Sequence, residues 1–474
     1  MQRSNFFSLA LSTLLFGCSS VEPGKGLNDV AALTSSRLDA TLLWNGDEKA
    51  SEEINAAVKK LLSQTLTVSD AVQIALLNSP AVQAVYEEVG IAQADLVQAG
   101  LLQNPTFMVE RRLSGKALEL DIAQNFMDLF FIPLRTKVAE NALQSAKLKV
   151  ADAIVKHAAE TKEAFYVLQA TLQMLEMRRA VSKALDASAL AARKLFAAGN
   201  VRALECQNEQ NLANEARLEL ALVENEVIQR RERLNVLLGL WGQRTTWKIS
   251  DRLPDLSLQD PDGTGLERLA ITQRLDLQSE RNELDALGNS INLSGYGALI
   301  TDATLGLHSE REPDGFTSRG PSFEFSIPIF NQGQPQRAKA YSEFRRQAAY
   351  FTQHVVEVRS EVRAAFSTMH AWRKRAEYYQ RVVLPLQAQM LEQTQLQYNG
   401  MFMSVFQLLQ AKRAQIQAAE GFIEAVREYW IARTHLELAV GGRISDVPLT
   451  PPPIVEIGAA SVVPTSTPNH AHHH

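Results

Sequence analysis

Residues 133–199 read PLRTKVAENALQSAKLKVADAIVKHAAETKEAFYVLQATLQMLEMRRAVSKALDASALAARKLFAAG. Between Pro133 and Gly199 lie 66 steps with no further proline or glycine. At about 1.5 Å per residue such a helix is roughly 100 Å long. That exceeds globular norms and predicts coiled-coil packing. Alanines at Ala139, Ala142, Ala146, Ala151, Ala153, Ala158 and Ala159 allow close helix approach. A second stretch, Pro335 to Gly400, spans 65 steps and is interrupted only by Pro385. Return arms follow each, about Arg202–Leu238 and Ser404–Val440, rich in good helix formers. The chain therefore carries two very long helical hairpins.

Working outward, the two hairpins belong to a duplication. Asn104-Pro105-Thr106-Phe107 corresponds to Asp302-Ala303-Thr304-Leu305, 198 residues later. Gly199 and Gly400 are 201 apart, and Gly239 and Gly441 are 202 apart. Order and spacing are kept together, at a period far longer than a solenoid unit. Each half opens on a helix. The first starts at a capping-box-like Thr67-Val68-Ser69-Asp70 and is broken at Asn78-Ser79-Pro80. The second runs from about Leu266 to Leu293, with its break at Arg274-Leu275-Asp276-Leu277.

Two strands then precede each hairpin. Phe107, Val109 and Leu113 alternate with polar residues, as do Leu118, Leu120 and Ile122. In the second half Leu305 and Leu307 alternate, a Pro313-Asp314-Gly315 loop follows, and Phe323, Phe325, Ile327 and Ile329 alternate with Ser322, Glu324 and Ser326. The period of two predicts one apolar and one polar face. Strands of this length suit either a tilted membrane barrel or the edge of a water-soluble sandwich.

The remaining sequence narrows the class. The chain has 474 residues, 46% hydrophobic, and a formal net charge of −5, which argues against nucleic-acid binding by bulk charge. Mean hydropathy is −0.14 and, past residue 17, no apolar run approaches a membrane helix. Residues 1–17 read as a signal peptide with Arg3 ahead of a short apolar core, ending at Leu15-Phe16-Gly17-Cys18. Two cysteines, Cys18 and Cys206, exclude a disulfide framework and any multi-cysteine metal site. Cys206 reads as a packed or lumen-facing thiol. Zinc-protease, nucleophile-elbow, phosphate-loop and CxxC patterns are absent from the sequence, so no enzyme is expected. The domain reading is a signal peptide at 1–17, an N-terminal linker at 18–65, a first repeat at 66–250, a second at 251–445, and a Pro- and His-containing disordered tail at 446–474. In that tail His470, His472, His473 and His474 form either a metal-binding cluster or an unordered tail or tag remnant.

Four membrane-length strands cannot close a barrel, and an unpaired edge is not tolerated in lipid. Three chains supply twelve strands, enough to leave a lumen. The expected fold is thus mainly α with a membrane β-barrel, a homotrimer whose barrel continues as a tube of helices. Leu66-Thr67 through Asn78-Ser79-Pro80, Gln98-Ala99 through Asn104-Pro105, Ser326-Ile327-Pro328-Ile329-Phe330-Asn331-Gln332-Gly333, and Tyr398-Asn399-Gly400 with Leu408-Leu409-Gln410-Ala411 resemble the TolC-type outer membrane factors. These are exit ducts of tripartite efflux and type I secretion systems, and the resemblance covers about residues 60–445.

The resemblance implies a trimeric twelve-stranded β-barrel on a twelve-helix periplasmic barrel. It implies an outer-membrane location, a periplasmic adaptor and an inner-membrane pump as partners, and export of small toxic compounds or metal ions. Protein secretion is the alternative, and a periplasmic coiled-coil adaptor lipoprotein a more remote one. The tetrapeptide at Cys18 resembles a lipobox, which implies a covalent, palmitate-type lipid on Cys18 and no other cofactor. The hairpin tips, with Phe196, Gly199, Asn200, Tyr398 and Gly400, correspond to the adaptor-docking entrance. A glycine at each tip is also expected from helix ends that need positive φ. Where some members carry a closing aspartate ring, this chain has Gln407 and Gln410. The gate set is therefore Met401, Phe402 and Met403 with Gln407, Gln410, Glu205 and Glu209. Phe323, Phe325, Ile327 and Ile329 are expected to face lipid, because strand alternation puts them on the apolar side.

Overall fold

The computed structural model describes residues 24, 26–111, 118–126, 128–257, 260–296, 303–311, 314–325, 329–330 and 332–444. Cys18, Ser326, Ile327, His470, His472, His473 and His474 lie outside the described residues. The described chain is mainly helical. Two short helices, α1 (Leu27–Ser35) and α2 (Glu48–Leu62), lead to β1 (Thr65–Leu66). The first repeat follows as α3 (Val68–Asn78), α4 (Pro80–Ala99), β2 (Thr106–Arg111), β3 (Leu118–Asn125), α5 (Asp128–Ala197) and α6 (Ala203–Leu238). After β4 (Lys248–Ile249) the second repeat gives α7 (Leu266–Gln273), α8 (Leu275–Tyr296), β5 (Ala303–Arg311), β6 (Thr317–Phe325), α9 (Gln334–Tyr378), α10 (Leu384–Asn399) and α11 (Val405–Val440).

Local chemistry sets these boundaries. Thr67 and Asp70 form a reciprocal capping box at the start of α3. Pro80 opens α4, where its missing N–H costs nothing. The first long helix is continuous over 70 residues, about 105 Å. It begins at Asp128, five residues before Pro133. Its counterpart is not continuous: a π-turn at Tyr379–Val383 separates α9 from α10. Pro385 explains it. A proline ring clashes with the carbonyl four residues back, here Arg381, and the wider turn relieves that crowding. The facing residue on α11 is Gly421, where a Cβ would stand 2.6 Å from the Tyr379 hydroxyl.

Four long segments stand side by side in the order α6, α5, α11, then α9 with α10. The strands form one antiparallel sheet in the order β2-β3-β5-β6, so β3 and β5 join the two repeats. Directly paired residues share a face. Phe107, Ile122, Leu307 and Pro321 lie in one row, and Leu305 and Phe323 in the next. The opposite face carries Glu110, Glu119, Asp121, His308, Glu310, Ser322 and Glu324, with Met108 and Ala123 as apolar exceptions. The strand boundaries differ from the alternation: β6 begins at Thr317, and Ile329 lies in a bend rather than in the strand. A second, two-stranded sheet pairs β1 with β4 in parallel.

The core sits where the two repeats meet the roots of the hairpins. Leu66, Ile74, Phe165, Leu168, Leu234, Leu238 and Trp247 pack in one cluster. Val30, Val72, Leu76, Tyr86, Ile154 and Leu275 pack in another. Buried Trp247 donates to Asn235 Oδ1 at 2.8 Å, and Arg231 stacks over its ring at 4.1 Å. Each return arm ends against the break between the two opening helices of its own repeat. Asn78 Nδ2 donates to the carbonyls of Leu238 and Gly239, both at 2.8 Å. Arg274 Nη1 donates to the Ala439 carbonyl at 3.3 Å. The same joint is thus built twice with different side chains.

Candidate functional site at the hairpin tips

The first tip closes as a Schellman turn. Gly199 has φ +76°, its N–H donates to the Phe196 carbonyl at 2.9 Å, and Asn200 N–H donates to Leu195 at 2.9 Å. No heavy atom stands within 4 Å of a Cβ placed at Gly199, so glycine is needed there for its dihedral. The second tip makes the same turn one residue later. Met401 N–H donates to Tyr398 at 3.0 Å, Phe402 N–H donates to Gln397 at 2.9 Å, and Met401 takes φ +63°. Gly400, expected at positive φ, instead has φ −80°. Its role is space: a Cβ there would meet the Phe402 ring at 2.8 Å. Met401 is the sole non-glycine residue at positive φ among the described residues.

In both return arms the third helical residue reaches back to the N-cap N–H, at equivalent positions. Glu205 reaches back to the Arg202 N–H, and the Gln407 side-chain oxygen accepts from Ser404 N–H at 3.0 Å. Those two polar groups already serve their own helix starts. Around them the tips expose apolar surface: Met401 is 94% and Phe402 85% exposed, with Phe196, Leu204, Leu396 and Phe406 also exposed. Met403 is half-buried, while Asn200 and Gln410 are exposed.

Just behind the tips, charged residues tie one hairpin to the other. Glu209 is buried. Its Oε2 accepts from Ser188 Oγ at 2.6 Å, and Lys412 of α11 lies 3.8 Å from its other oxygen. Arg413 pairs with Glu215 at 2.8 Å across the same seam. Deeper, Arg178 pairs with Glu420. Burial raises the Glu420 pKa against the opposing pull of Arg178. Burial also raises the Tyr398 phenol, followed by the nearby carboxylates Glu205 and Glu209. Cys206 is buried and accepts from Gln210 Nε2 at 3.1 Å, a packed thiol.

Ser188, Lys412, Arg413 and Glu215 were not singled out from the sequence. A signal was present. Val405, Leu408 and Lys412 share one helix face, as do Cys206, Glu209, Ala213 and Ala216. A base and an acid thus each occupy a register position otherwise held by small or apolar residues.

No protein-family model matches the sequence, and no curated protein matches it. Solved structures do resemble the fold. The transmembrane channel CusC shares 17% identity, covering 79% of this chain and 92% of that chain, with a TM-score of 0.66. The outer membrane protein VceC of Vibrio cholerae shares 16% identity over 79% of this chain and 96% of its own, with a TM-score of 0.65. The CmeC outer membrane channel of Campylobacter jejuni shares 14% identity over 84% and 88%, with a TM-score of 0.66. The fold is that of outer membrane channels. More specifically, the chain has the fold of the TolC-type outer membrane factors.

Proposed function

We propose that this chain is one subunit of a homotrimeric exit duct in the outer membrane. It serves a tripartite efflux system as a passive channel for small toxic compounds or metal ions. The observation that carries this reading is that, among the described residues, neither layer closes on itself. The sheet stops at β2 and β6, and the helical layer stops at α6 and at α9 with α10. Leu218, Leu222 and Val236 are exposed on α6, and Tyr350, Leu386 and Met390 on α9 and α10. A β2 edge meeting a neighbour's β6, and an α6 edge meeting a neighbour's α9, is a head-to-tail contact that closes into a ring. Three copies bring twelve strands. The apolar sheet face then meets lipid and the acidic face lines the lumen. Among the described residues no helix is long and apolar enough to cross a membrane, so these strands are the spanning element in this reading.

The tips, about 100 Å along the helices from the sheet, meet a periplasmic adaptor that couples the duct to an inner-membrane pump. At rest they close by apolar contact of Met401, Phe402 and Met403, and the Glu209–Lys412 seam holds the two hairpins together. A lipid on Cys18 adds an anchor. The test is fractionation with gel analysis. The reading expects heat-resistant trimers on SDS gels from outer membranes. A monomer released with the periplasmic fraction would refute it. Deleting the gene and screening metals, drugs and secreted proteins then identifies the cargo.

A further inference from the structure

On the acidic face of the sheet, one histidine stands among carboxylates. Asp121 of β3 pairs directly with His308 of β5, and Glu119 pairs directly with Glu310 one face-sharing position along. His308 Nδ1 lies 2.6 Å from Asp121 Oδ1 and 3.8 Å from Glu119 Oε1. His308 Nε2 lies 3.8 Å from Glu310 Oε2. All four side chains are half-buried. One ligand atom from each of Glu119, Asp121 and His308 falls within 4.8 Å of the other two. From this geometry we propose a divalent transition-metal site, of the zinc type, on the polar face of the sheet.

Three arguments converge. The first is donor chemistry. A mixed imidazole and carboxylate set suits zinc, nickel or cobalt, whereas magnesium and calcium prefer oxygen ligands alone. The second is distance. Ligands about 2.0–2.2 Å from a tetrahedral ion stand roughly 3.3 Å apart. The 2.6 and 3.8 Å separations bracket that value, so small side-chain rotations form the site. The third is charge. Asp121, Glu119 and Glu310 gather three carboxylates around one imidazole, so the charge at this point suits a dication. The ladder register fixes the donors, so the site is prepared by backbone pairing.

One chain supplies the whole site, so it does not require ring closure. Its address in the wall of a conduit, repeated once per subunit, rests on the proposed function. There it would offer exported ions a binding step near the exit.

The test uses the detergent-solubilised full chain with His470, His472, His473 and His474 all changed to alanine, which removes the competing tail. Zinc is titrated calorimetrically in excess magnesium. The expected result is about one zinc per chain. Affinity should fall at least tenfold in His308→Ala and in Asp121→Asn, and stay unchanged in His354→Ala. His354 is the control because it also contacts carboxylates, Glu280 at 2.8 Å and Asp276 at 3.6 Å. A His308→Cys variant loaded with cobalt should show a thiolate-to-cobalt charge-transfer band. This second readout decides the matter if His308→Ala fails to assemble. Zinc that is displaced by magnesium, or a His308→Ala titration matching the parent, overturns the proposal, as does the absence of the band. Failure here with intact outer-membrane trimers leaves the duct reading standing. Loss of the trimers with zinc still bound does the reverse.

Discussion

Replacing Met401 by glycine separates the two things that this residue does. Met401 holds φ +63° at the second tip, with its side chain almost wholly in solvent. For a residue with a Cβ the left-handed conformation costs roughly 1–2 kcal/mol. Glycine removes that cost but adds about 0.4–1 kcal/mol of unfolded-chain freedom. The net is a local stabilisation of about 0.5–1 kcal/mol, a two- to five-fold change in an opening equilibrium. The Phe402 amide, bonded to the Gln397 carbonyl at 2.9 Å, reports that opening. Hydrogen exchange followed over residues 396–406 should therefore slow two- to five-fold in Met401→Gly. Met401→Ala keeps the strained dihedral and should leave exchange unchanged. Both variants lose the apolar side chain, so if the proposed trimeric duct closes on Met401, both should raise its single-channel conductance. Faster exchange in the glycine variant would refute the strain argument. Conductance unchanged in both would remove Met401 from the closure.

Three further outcomes rest on the structure and a fourth on the sequence. Lys412→Met should destabilise the seam by about 1–3 kcal/mol, because among the described residues buried Glu209 then keeps only Ser188 as partner; the melting temperature reads it, and restoration by Glu209→Gln in the double mutant would identify the stranded charge as the cause. Arg at Phe325, on the apolar sheet face, should cost roughly 2–4 kcal/mol if that face meets lipid, whereas Arg at Glu324 should be tolerated and alter conductance; equal damage in trimer-yield assays would reject the face assignment. Burial lowers the His157 pKa, so the unfolded chain binds more protons as pH falls and stability contributed by neutral His157 is lost on acidification; His157→Gln should flatten the fall in melting temperature between pH 7.5 and pH 5. Cys18→Ala should abolish palmitate labelling while trimers still form, and persistent label would reject the anchor.

Most of the architecture was legible because it rests on long, uninterrupted patterns. The hairpins follow from stretches without proline or glycine, and the strands from a period of two. The joints were not legible, because they depend on contacts between distant positions. Nothing local to Asn78 says that it will cap the end of a helix 160 residues away. At the tips, glycine was read as a dihedral requirement in both repeats. That holds at Gly199 and fails at Gly400, where the Phe402 ring claims the space and the turn shifts by one residue. Glu209 was legible as a tip residue but its partner Lys412 was not, because a lone charge on a helix usually points to water. Its position in an otherwise apolar register was the clue. Strand ends were blurred for a simpler reason: alternation continues past Phe325 in the sequence, while Ile329 sits in a bend.

The π-turn at Tyr379–Val383 makes the second hairpin a counted object. An α-helix turns about 100° per residue, so the one surplus residue of a π-turn rephases everything beyond it by roughly that angle. Deleting one residue there would remove the surplus residue and leave Pro385 against an unwidened turn, in an arm of nearly the same length. Yet Leu386, Met390 and the whole second tip would swing about a quarter of a circle around the axis, while Tyr379, at the near end of the π-turn, would still face Gly421. Insertions and deletions in this arm are thus judged by the direction in which the tip points afterwards. At this place the direction of the tip is bound to an exact residue count.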